Sequence, residues 1–380
     1  MERIYLDHAA TSPIHPRVIE KMAKAMGDFY GNPSSIHSFG REARHLLDEA
    51  RHTLAKGIGA GANEIIFTSG GTEADNLAIL GVAESYNEKG RHIITTEIEH
   101  HAVLHACQRL EKQGFTVTYL PVDETGRISI SELEQALTDE TILVTIMYGN
   151  NEVGTIQPIE KIGKLLSSHQ ALFHTDAVQA YGLIDIDVNK AGIDLLSVSA
   201  HKINGPKGTG FLFAKDGIKL SPRSFGGEQE RKRRAGTENL VSILGFMEAA
   251  QLAAESREEK AKHHFALKKR FIEVLEEESS VFELNGSLEN SLPHIVNLSF
   301  PGTNVEAMLV NLDLAGIAVS SGSACTAGSI EPSHVLVAMF GRESERIANS
   351  IRFSFGLGTT EADIVRAAKE TAKITRRLRG

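Results

Sequence analysis

Short apolar runs alternate with amphipathic stretches along the first half of the chain. The apolar runs are rich in Ile, Val and Thr, whereas the stretches between them repeat apolar residues every three or four positions. The predicted strands are Ile65–Thr68, His92–Thr96, Thr116–Val122, Thr141–Tyr148, Ala171–Thr175, Asp194–Ala200 and Gly210–Phe213. Strands that alternate with helices in this way are typical of a wound, mainly parallel sheet. The pattern therefore predicts an α/β fold.

The second half of the chain has a different pattern. A helical stretch without proline extends from about Leu240 to Glu278 and is interpreted as a bridge to a second unit. Beyond it we predict strands near Ile295–Phe300 and Ile351–Phe355, and helices near Val305–Leu314, Pro332–Phe340 and Glu361–Arg377. A chain of 380 residues exceeds what one compact core usually covers, so a smaller α+β unit is expected here.

Lys202 follows the predicted strand Asp194–Ala200 and opens a glycine-rich turn. Desolvation at a sheet edge would lower the pKa of its amine and make it nucleophilic, as a lysine that binds an aldehyde cofactor requires. A solvated lysine after a strand is the alternative. Asp176 ends another apolar run and suits the ring nitrogen of pyridoxal phosphate, with Gln179 placed to donate to the phenolic oxygen. Asp176 could equally be the N-cap of a helix.

The turn Ser69-Gly-Gly-Thr72 lies between the strand Ile65–Thr68 and a helical stretch that reaches about Tyr86. Backbone N–H groups and the positive end of a helix dipole there would bind a phosphate. The chain has neither the Walker pattern nor GxGxxG at this point, which disfavours a nucleotide. The spacing of Thr72 and Asp75 is also that of a capping box variant, so the turn alone does not establish an anion site.

Histidines follow the predicted strand His92–Thr96. His100 could stack on a flat cofactor at the edge of the sheet. His101 and His105 share one helix face, and Cys107 is close in sequence, so a zinc site is an alternative. Against zinc, the stretch lacks HExxH and a paired CxxC.

The chain carries 40 basic and 49 acidic residues, a formal net charge of −9. This balance argues against nonspecific binding to nucleic acids or membrane surfaces. The basic run Arg231–Arg234 is flanked by glutamates and is interpreted as a solvated or interfacial loop. Charges near Met1, the absence of a membrane-length apolar run and only two cysteines lead us to expect a cytoplasmic protein.

Taken together, these motifs resemble those of the group I cysteine desulfurases of the NifS and IscS type, within the class V aminotransferase-like enzymes of fold type I. The resemblance spans nearly the whole chain and is carried by Tyr5–Thr11, Gly31–His37, the stretches above, Asn150-Asn-Glu152, Ala235-Gly-Thr-Glu-Asn239 and Ser350–Gly356. The most discriminating piece is the Ser- and Gly-rich stretch Ser320–His334 around Cys325, which resembles the active-site cysteine loop of group I.

The resemblance implies pyridoxal 5'-phosphate as cofactor and assigns a role to each matching residue. Lys202 would bind the cofactor covalently, Asp176 would contact the ring nitrogen, Gln179 the phenolic oxygen, and His100 the ring face. The phosphate would be held by Gly71, Thr72, Ser199, His201 and, from a neighbouring subunit, Thr237. Asn151 and Arg352 would bind the amino-acid substrate; an arginine suits its carboxylate because a guanidinium binds one in a bidentate manner. No intrinsic metal is implied, although Cys325 could serve as a transient shared ligand of an iron–sulfur cluster.

The implied reaction converts L-cysteine to L-alanine and leaves a persulfide on Cys325, with His100 as an acid–base group at the substrate thiol. The sulfur would pass to an acceptor protein, which could be an iron–sulfur scaffold, a tRNA-thiolating enzyme or a thiamine-pathway carrier. By the same resemblance we expect a homodimer. The large cofactor-binding domain, with a mainly parallel seven-stranded sheet, would span 14–257, and the small domain would combine 1–13 with 258–380.

Other functions remain open at this stage. A selenocysteine lyase or a transaminase on the same scaffold would use Lys202 and Asp176, and a transaminase would not require Cys325. A non-catalytic scaffold that binds sulfur carriers would not require Lys202 at all. The sequence motifs do not identify the acceptor, because partner specificity lies on surfaces that motifs do not describe.

Overall fold

The structure is a computed structural model that describes residues 3–321 and 332–380. Its strands are β1 (Ile4–Tyr5), β2 (Ile65–Thr68), β3 (His92–Thr96), β4 (Thr116–Leu120), β5 (Thr141–Thr145), β6 (Leu172–Asp176), β7 (Leu195–Ser199), β8 (Gly210–Ala214), β9 (Glu283–Asn285), β10 (Ile295–Ser299), β11 (Ile317–Ala318) and β12 (Ser350–Ser354). Its helices are α1 (Pro16–Asp28), α2 (Ser38–Lys56), α3 (Gly71–Tyr86), α4 (His101–Glu111), α5 (Ile130–Ala136), α6 (Ile159–Leu166), α7 (Leu240–Glu277), α8 (Val305–Leu314), α9 (His334–Phe340), α10 (Arg346–Asn349) and α11 (Glu361–Arg379).

A seven-stranded sheet with the order β2-β8-β7-β6-β5-β3-β4 forms the centre of the larger part. Its pairs are parallel except that β8 runs antiparallel to both of its neighbours. Alternate residues of one strand face different cores, since Leu196 packs with α2 and α7 whereas Leu195 packs with α3 and α4. Helices therefore cover both faces of the sheet, and the predicted α/β fold is confirmed.

Two of the predicted strands end two or more residues earlier than the apolar pattern suggested. β4 ends at Leu120, where Pro121 has no N–H to donate to a neighbouring strand. β5 ends at Thr145, although the next residues keep isolated bonds to β6, from Ile146 N to the His174 carbonyl and from Tyr148 N to the Asp176 carbonyl. The apolar run thus continues into a buried loop.

The smaller part contains an antiparallel sheet with the order β12-β10-β9 and the parallel pair β1-β11. Its core contains Leu6 from the first residues of the chain, Phe271 from the second half of α7, and Phe353 from β12. The first half of α7 packs in the larger core, through residues such as Phe246. α7 therefore joins two cores, while the domain boundaries given above stay a prediction.

None of the described helices combines the length and the apolar character needed to cross a bilayer.

Candidate active site

A cavity of about 290 Å³ opens at the carboxyl ends of the parallel strands β3, β5, β6 and β7. Ligands of wound α/β folds bind at this edge of the sheet. The cavity is lined by every residue predicted to bind cofactor or substrate except Thr237, namely Gly71, Thr72, His100, Asn151, Asp176, Gln179, Ser199, His201, Lys202 and Arg352. The structure thus brings together residues that are far apart in the chain.

Lys202 ends a short helical turn, Ala200–Lys202, that follows β7 directly. Its Nζ donates to the carbonyl oxygens of Ala9 and Ala10, the latter at 2.8 Å. Burial and, to a lesser extent, the Arg352 guanidinium lower the pKa of Lys202 to about 7, against the opposing charges of Asp176 and Asp7. A large fraction of this amine is therefore neutral near pH 7, as a nucleophile must be.

Asp176 is the last residue of β6, and its side chain is buried. Oδ1 accepts a hydrogen bond of 2.9 Å from Val178 N, and turns rather than a helix follow, so the helix N-cap alternative is wrong. Burial raises the pKa of Asp176, while His100, the Val178 N–H and Lys202 oppose the shift. Gln179 donates from Nε2 to the Ala9 carbonyl at 2.9 Å and also lines the cavity.

The turn before α3 presents a helix N-terminus to the cavity. Gly70 has φ +151°, and a Cβ on Gly71 would come within 2.6 Å of Val178 Cγ2, so glycine is required for this close approach. No side chain caps α3, and Glu73 instead accepts from Ser69 N at 2.6 Å. The capping box alternative is therefore wrong, and the positive end of the helix dipole faces the cavity.

His100 is the N-cap of α4, where its Nδ1 accepts a hydrogen bond of 3.2 Å from Ala102 N. The ring is exposed to the cavity. Desolvation lowers the pKa of His100, the charge of Asp176 raises it, and the charge of Lys202 lowers it further. His201 also lines the cavity, with Nδ1 at 3.1 Å from Thr11 Oγ1. Burial lowers the pKa of His201 to about 4, so this imidazole is neutral at pH 7.

Arg352 lies in β12, and its side chain is buried. Nη2 bonds to Asp7 Oδ1 at 2.9 Å, and Nη1 donates to the Asn151 carbonyl at 2.9 Å. Asn151 follows the carboxyl end of β5 and contributes its backbone to this contact. These bonds fix the plane of the guanidinium at one side of the cavity.

Sequence reasoning gave no individual site role to residues at the start of the chain or to Asp75 of α3. Asp7, Ala9 and Ala10 contact Arg352 or Lys202, although they were noted only as part of a motif. Asp75 lines the cavity and was interpreted only as a possible cap. The run of small residues after Asp7 was the available signal, because small side chains permit close approach to a ligand.

Among the described residues, one predicted cofactor-binding residue does not line the cavity. Thr237 is exposed, and its prediction involves a neighbouring subunit. Cys325 lies outside the described residues. The zinc alternative is not supported, because His101 and His105 stack at 5.1 Å between ring centroids while Cys107 is fully buried in the core on another face of α4. Burial raises the pKa of Cys107 to about 12.

Comparison with solved structures defines the class of fold. A NifS-like protein superposes with a TM-score of 0.91 at 38% identity and covers 99% of both chains. A NifS-like protein from Rickettsia africae gives 0.87 at 32% identity, covering 98% of this chain and 99% of that one. A protein named SspA, solved in complex with cysteine, gives 0.82 at 38% identity, covering 93% of this chain and 98% of that one.

The chain belongs to the aminotransferase class-V family, whose model matches residues 4–366. A relative described as putative cysteine desulfurase IscS 1 from Bacillus subtilis is 63% identical over 378 residues, which covers 100% of each chain. A cysteine desulfurase IscS from Dictyoglomus turgidum is 47% identical over 376 residues, or 99% of this chain and 95% of the relative.

Proposed function

We propose that the protein is a pyridoxal 5'-phosphate-dependent cysteine desulfurase, which converts L-cysteine to L-alanine and retains the sulfur as a persulfide on Cys325. The observation that carries the proposal is the meeting of Lys202, Asp176 and Arg352 in one cavity, in a chain matched over its full length by relatives named cysteine desulfurases.

The residues of the cavity fit the cofactor. The glycine turn before α3 presents a helix N-terminus to the cavity, where backbone N–H groups would bind a phosphate. Asp176 lines the same cavity, where a carboxylate would hold a proton on the pyridine nitrogen. Lys202 supplies an amine of lowered pKa in this cavity. When bound, the cofactor would supply an electron sink for the negative charge that develops at the substrate Cα.

Lys202 has two roles in this proposal. Its neutral Nζ would attach to the cofactor's aldehyde carbon and, once the substrate amine replaces it, would take the proton from the substrate Cα. The Arg352 guanidinium would orient the substrate carboxylate, together with the Asn151 side chain. Because Asp7 and the Asn151 carbonyl already fix that guanidinium, it is positioned before the substrate arrives.

The proposed sulfur transfer needs no external oxidant or reductant. The Cys325 thiolate would attack the sulfur of the substrate, the bond between that sulfur and the substrate Cβ would break, and the electron pair would remain with carbon. His100, which lines the cavity, would move the proton of the substrate thiol. The products are L-alanine and a persulfide of Cys325, which could pass to an acceptor thiol by exchange.

The proposal also includes the oligomeric state, the sulfur acceptor and the location of the protein. We infer a homodimer in which Thr237 of one subunit completes the phosphate site of the other. The acceptor would be an iron–sulfur scaffold or a tRNA-thiolating enzyme, and Cys325 could act as a transient shared cluster ligand there. A cytoplasmic location would suit Cys107, which is a free thiol in the structure.

The test is to incubate purified protein with L-cysteine and a reductant and to measure sulfide and alanine together. We expect equal amounts of both products from the wild type, no sulfide from C325S, and a loss of about 10²–10⁴-fold in kcat for K202A, the range for removal of a positioned base. Turnover that survives in C325S would instead indicate a transaminase or a lyase. Purified protein without cofactor absorbance and without turnover would indicate a non-catalytic scaffold.

A further inference from the structure

Asp75 is a buried carboxyl group in the cavity wall that the proposed mechanism does not use. It lies near the start of α3, and its side chain is 1% exposed. One oxygen of Asp75, one oxygen of Asp176 and a ring nitrogen of His100 all lie within 4.8 Å of one another. Two carboxyl groups this close and this buried do not both ionise, because burial and mutual repulsion each disfavour the second charge.

The surroundings of Asp75 offer little to a negative charge. Its Oδ1 has no hydrogen-bond partner among the described residues. The Nε2 atom of His174 lies 3.7 Å from this Oδ1. His174 is fully buried between the hydroxyls of Thr145 and Ser197, and burial lowers its pKa to about 3, so it is neutral. Burial first and the charge of Asp176 second raise the pKa of Asp75 well above its usual range, and the Ser197 hydroxyl opposes them only in part.

The surroundings of Asp176 are different. Its Oδ1 accepts a hydrogen bond from Val178 N, and the protonated form of the Lys202 amine opposes the rise of its pKa. His100 also favours its charged form. Of the two carboxyl groups, Asp176 therefore has the groups that stabilise an anion, whereas the neighbours of Asp75 are the Ser197 hydroxyl and the neutral imidazole of His174.

We propose that Asp75 is a positioning residue that acts as a neutral carboxylic acid behind Asp176, so that the single negative charge of the pair stays on Asp176, where it would contact the pyridine nitrogen of the cofactor. This role rests on the proposed function. Asp75 would keep a polar but uncharged group beside Asp176, because a second charge would compete with Asp176 and an apolar group would disfavour its charge.

The protonation of Asp75 can be observed directly in the cofactor-loaded protein by infrared spectroscopy. We expect a carbonyl stretch of a protonated carboxyl group at neutral pH that shifts when the protein is labelled with ¹³C-aspartate and that is missing in D75N. The label is needed because burial also raises the pKa of Glu99 to about 8, which gives a second protonated carboxyl group. Identical aspartate bands in wild type and D75N would overturn the proposal, as would a divalent cation shared by Asp75, His100 and Asp176, which would leave both carboxyl groups ionised.

A set of variants tests whether the neutral acid serves Asp176. Asn has the shape of a protonated Asp and can hydrogen-bond, whereas Leu has a similar size and cannot. We expect the Kd of D75L for pyridoxal 5'-phosphate to rise by about tenfold or more, the equivalent of one pKa unit at Asp176, and D75N to restore it to within about threefold of wild type. The visible absorbance of bound cofactor, followed across pH, should likewise agree between D75N and wild type.

Other results for these variants would contradict the role proposed for Asp75. A loss of affinity in D75N as large as that in D176N would show that a charge at Asp75 is needed, and the proposal would be wrong. D75L with wild-type affinity would show that Asp75 is a bystander. If D75L does not fold, the infrared bands and D75N decide. If the wild type itself fails to bind pyridoxal 5'-phosphate, the proposed function fails, whereas the infrared measurement on wild type still reports the protonation of Asp75.

Discussion

At the scale of single residues, the site depends on which buried groups have charged partners that oppose the effect of burial. Lys202, His201 and Asp176 all lie at the same edge of the sheet, and burial disfavours the charged form of each. Only some of them have partners that restore the charge. The same low-dielectric surroundings therefore lower the pKa of the Lys202 amine and raise that of the Asp176 carboxyl group within one cavity.

The lowered pKa of Lys202 predicts how fast the apoprotein captures pyridoxal 5'-phosphate at different pH. The neutral amine is the nucleophile, so the rate should be low below about pH 6, rise through a midpoint near the Lys202 pKa of about 7, and level off above about pH 8. R352Q removes a positive charge that depresses this pKa, and it should move the midpoint upward. Stopped-flow absorbance measures the rate, with K202A as background. A midpoint near the ordinary lysine value would contradict the prediction.

At the scale of elements, a buried ion pair fixes a strained turn to the sheet. Arg51 of α2 donates from both Nη atoms to Glu230, at 2.7 and 2.6 Å, and also to the Ile65 carbonyl of β2 at 2.7 Å. Glu230 also accepts from Phe67 N at 3.0 Å. Glu230, Arg231 and Lys232 all have positive φ, a conformation that non-glycine residues rarely adopt. The pair therefore holds a turn that would not keep this shape alone.

Removal of one partner from this pair should destabilise the protein strongly. We expect R51M to lower the free energy of unfolding by about 3–5 kcal/mol, because it leaves the Glu230 carboxylate buried without its cation. The matched control is R223M, since Arg223 pairs with Glu84 at 2.8 Å on the exposed surface and should contribute about 0–1 kcal/mol. Urea titrations measure both. Similar losses in the two variants would show that burial does not set the strength of the Arg51 pair.

Much of the fold could be predicted from the sequence, whereas contacts between distant segments could not. The strand before Lys202 and the long helix after Asn239 were predicted because apolar periodicity is a local property. Pro121 shows how one residue without an N–H shortens a predicted strand. The bonds from Arg352 to Asp7 and from Arg51 to Glu230 join residues far apart in the chain, and no local pattern encodes such pairings. The cavity residues were predicted from the resemblance to a known family, because apolar periodicity carries no information about contacts between distant segments.

At the scale of the whole molecule, α7 joins the two cores, and Lys268 lies in its second half. This side chain is 1% exposed, and its Nζ donates to Ser291 Oγ and to the Leu292 carbonyl, both at 2.9 Å. Leu292 packs in the larger core, whereas Leu267 packs in the smaller one. The lysine thus ties the helix to the segment that leads into β10. Burial lowers its pKa to about 7.

This lowered pKa predicts how the contribution of Lys268 to stability varies with pH. Between about pH 7 and 10 the unfolded chain binds a proton at this lysine that the folded chain does not, so stability rises with pH in this window. The free energy of unfolding of wild type relative to K268M should therefore rise by about 1.4 kcal/mol per pH unit, and the burial cost should be fully present below about pH 7. K269M is the control, because Lys269 is exposed and should show no such slope. A flat difference for K268M would contradict the prediction.

The burial of Cys107 has a practical consequence for chemical labelling. The chain has two cysteines, and Cys107 is fully buried, with its pKa raised by burial to about 12. An alkylating reagent applied to the folded protein near neutral pH would find almost no thiolate at that position. Any rapid mass shift in intact-protein mass spectrometry can then be assigned to Cys325 without replacing a residue. Cys107 becomes reactive only after denaturation, so its labelling in the denatured wild-type chain provides an internal standard for complete alkylation.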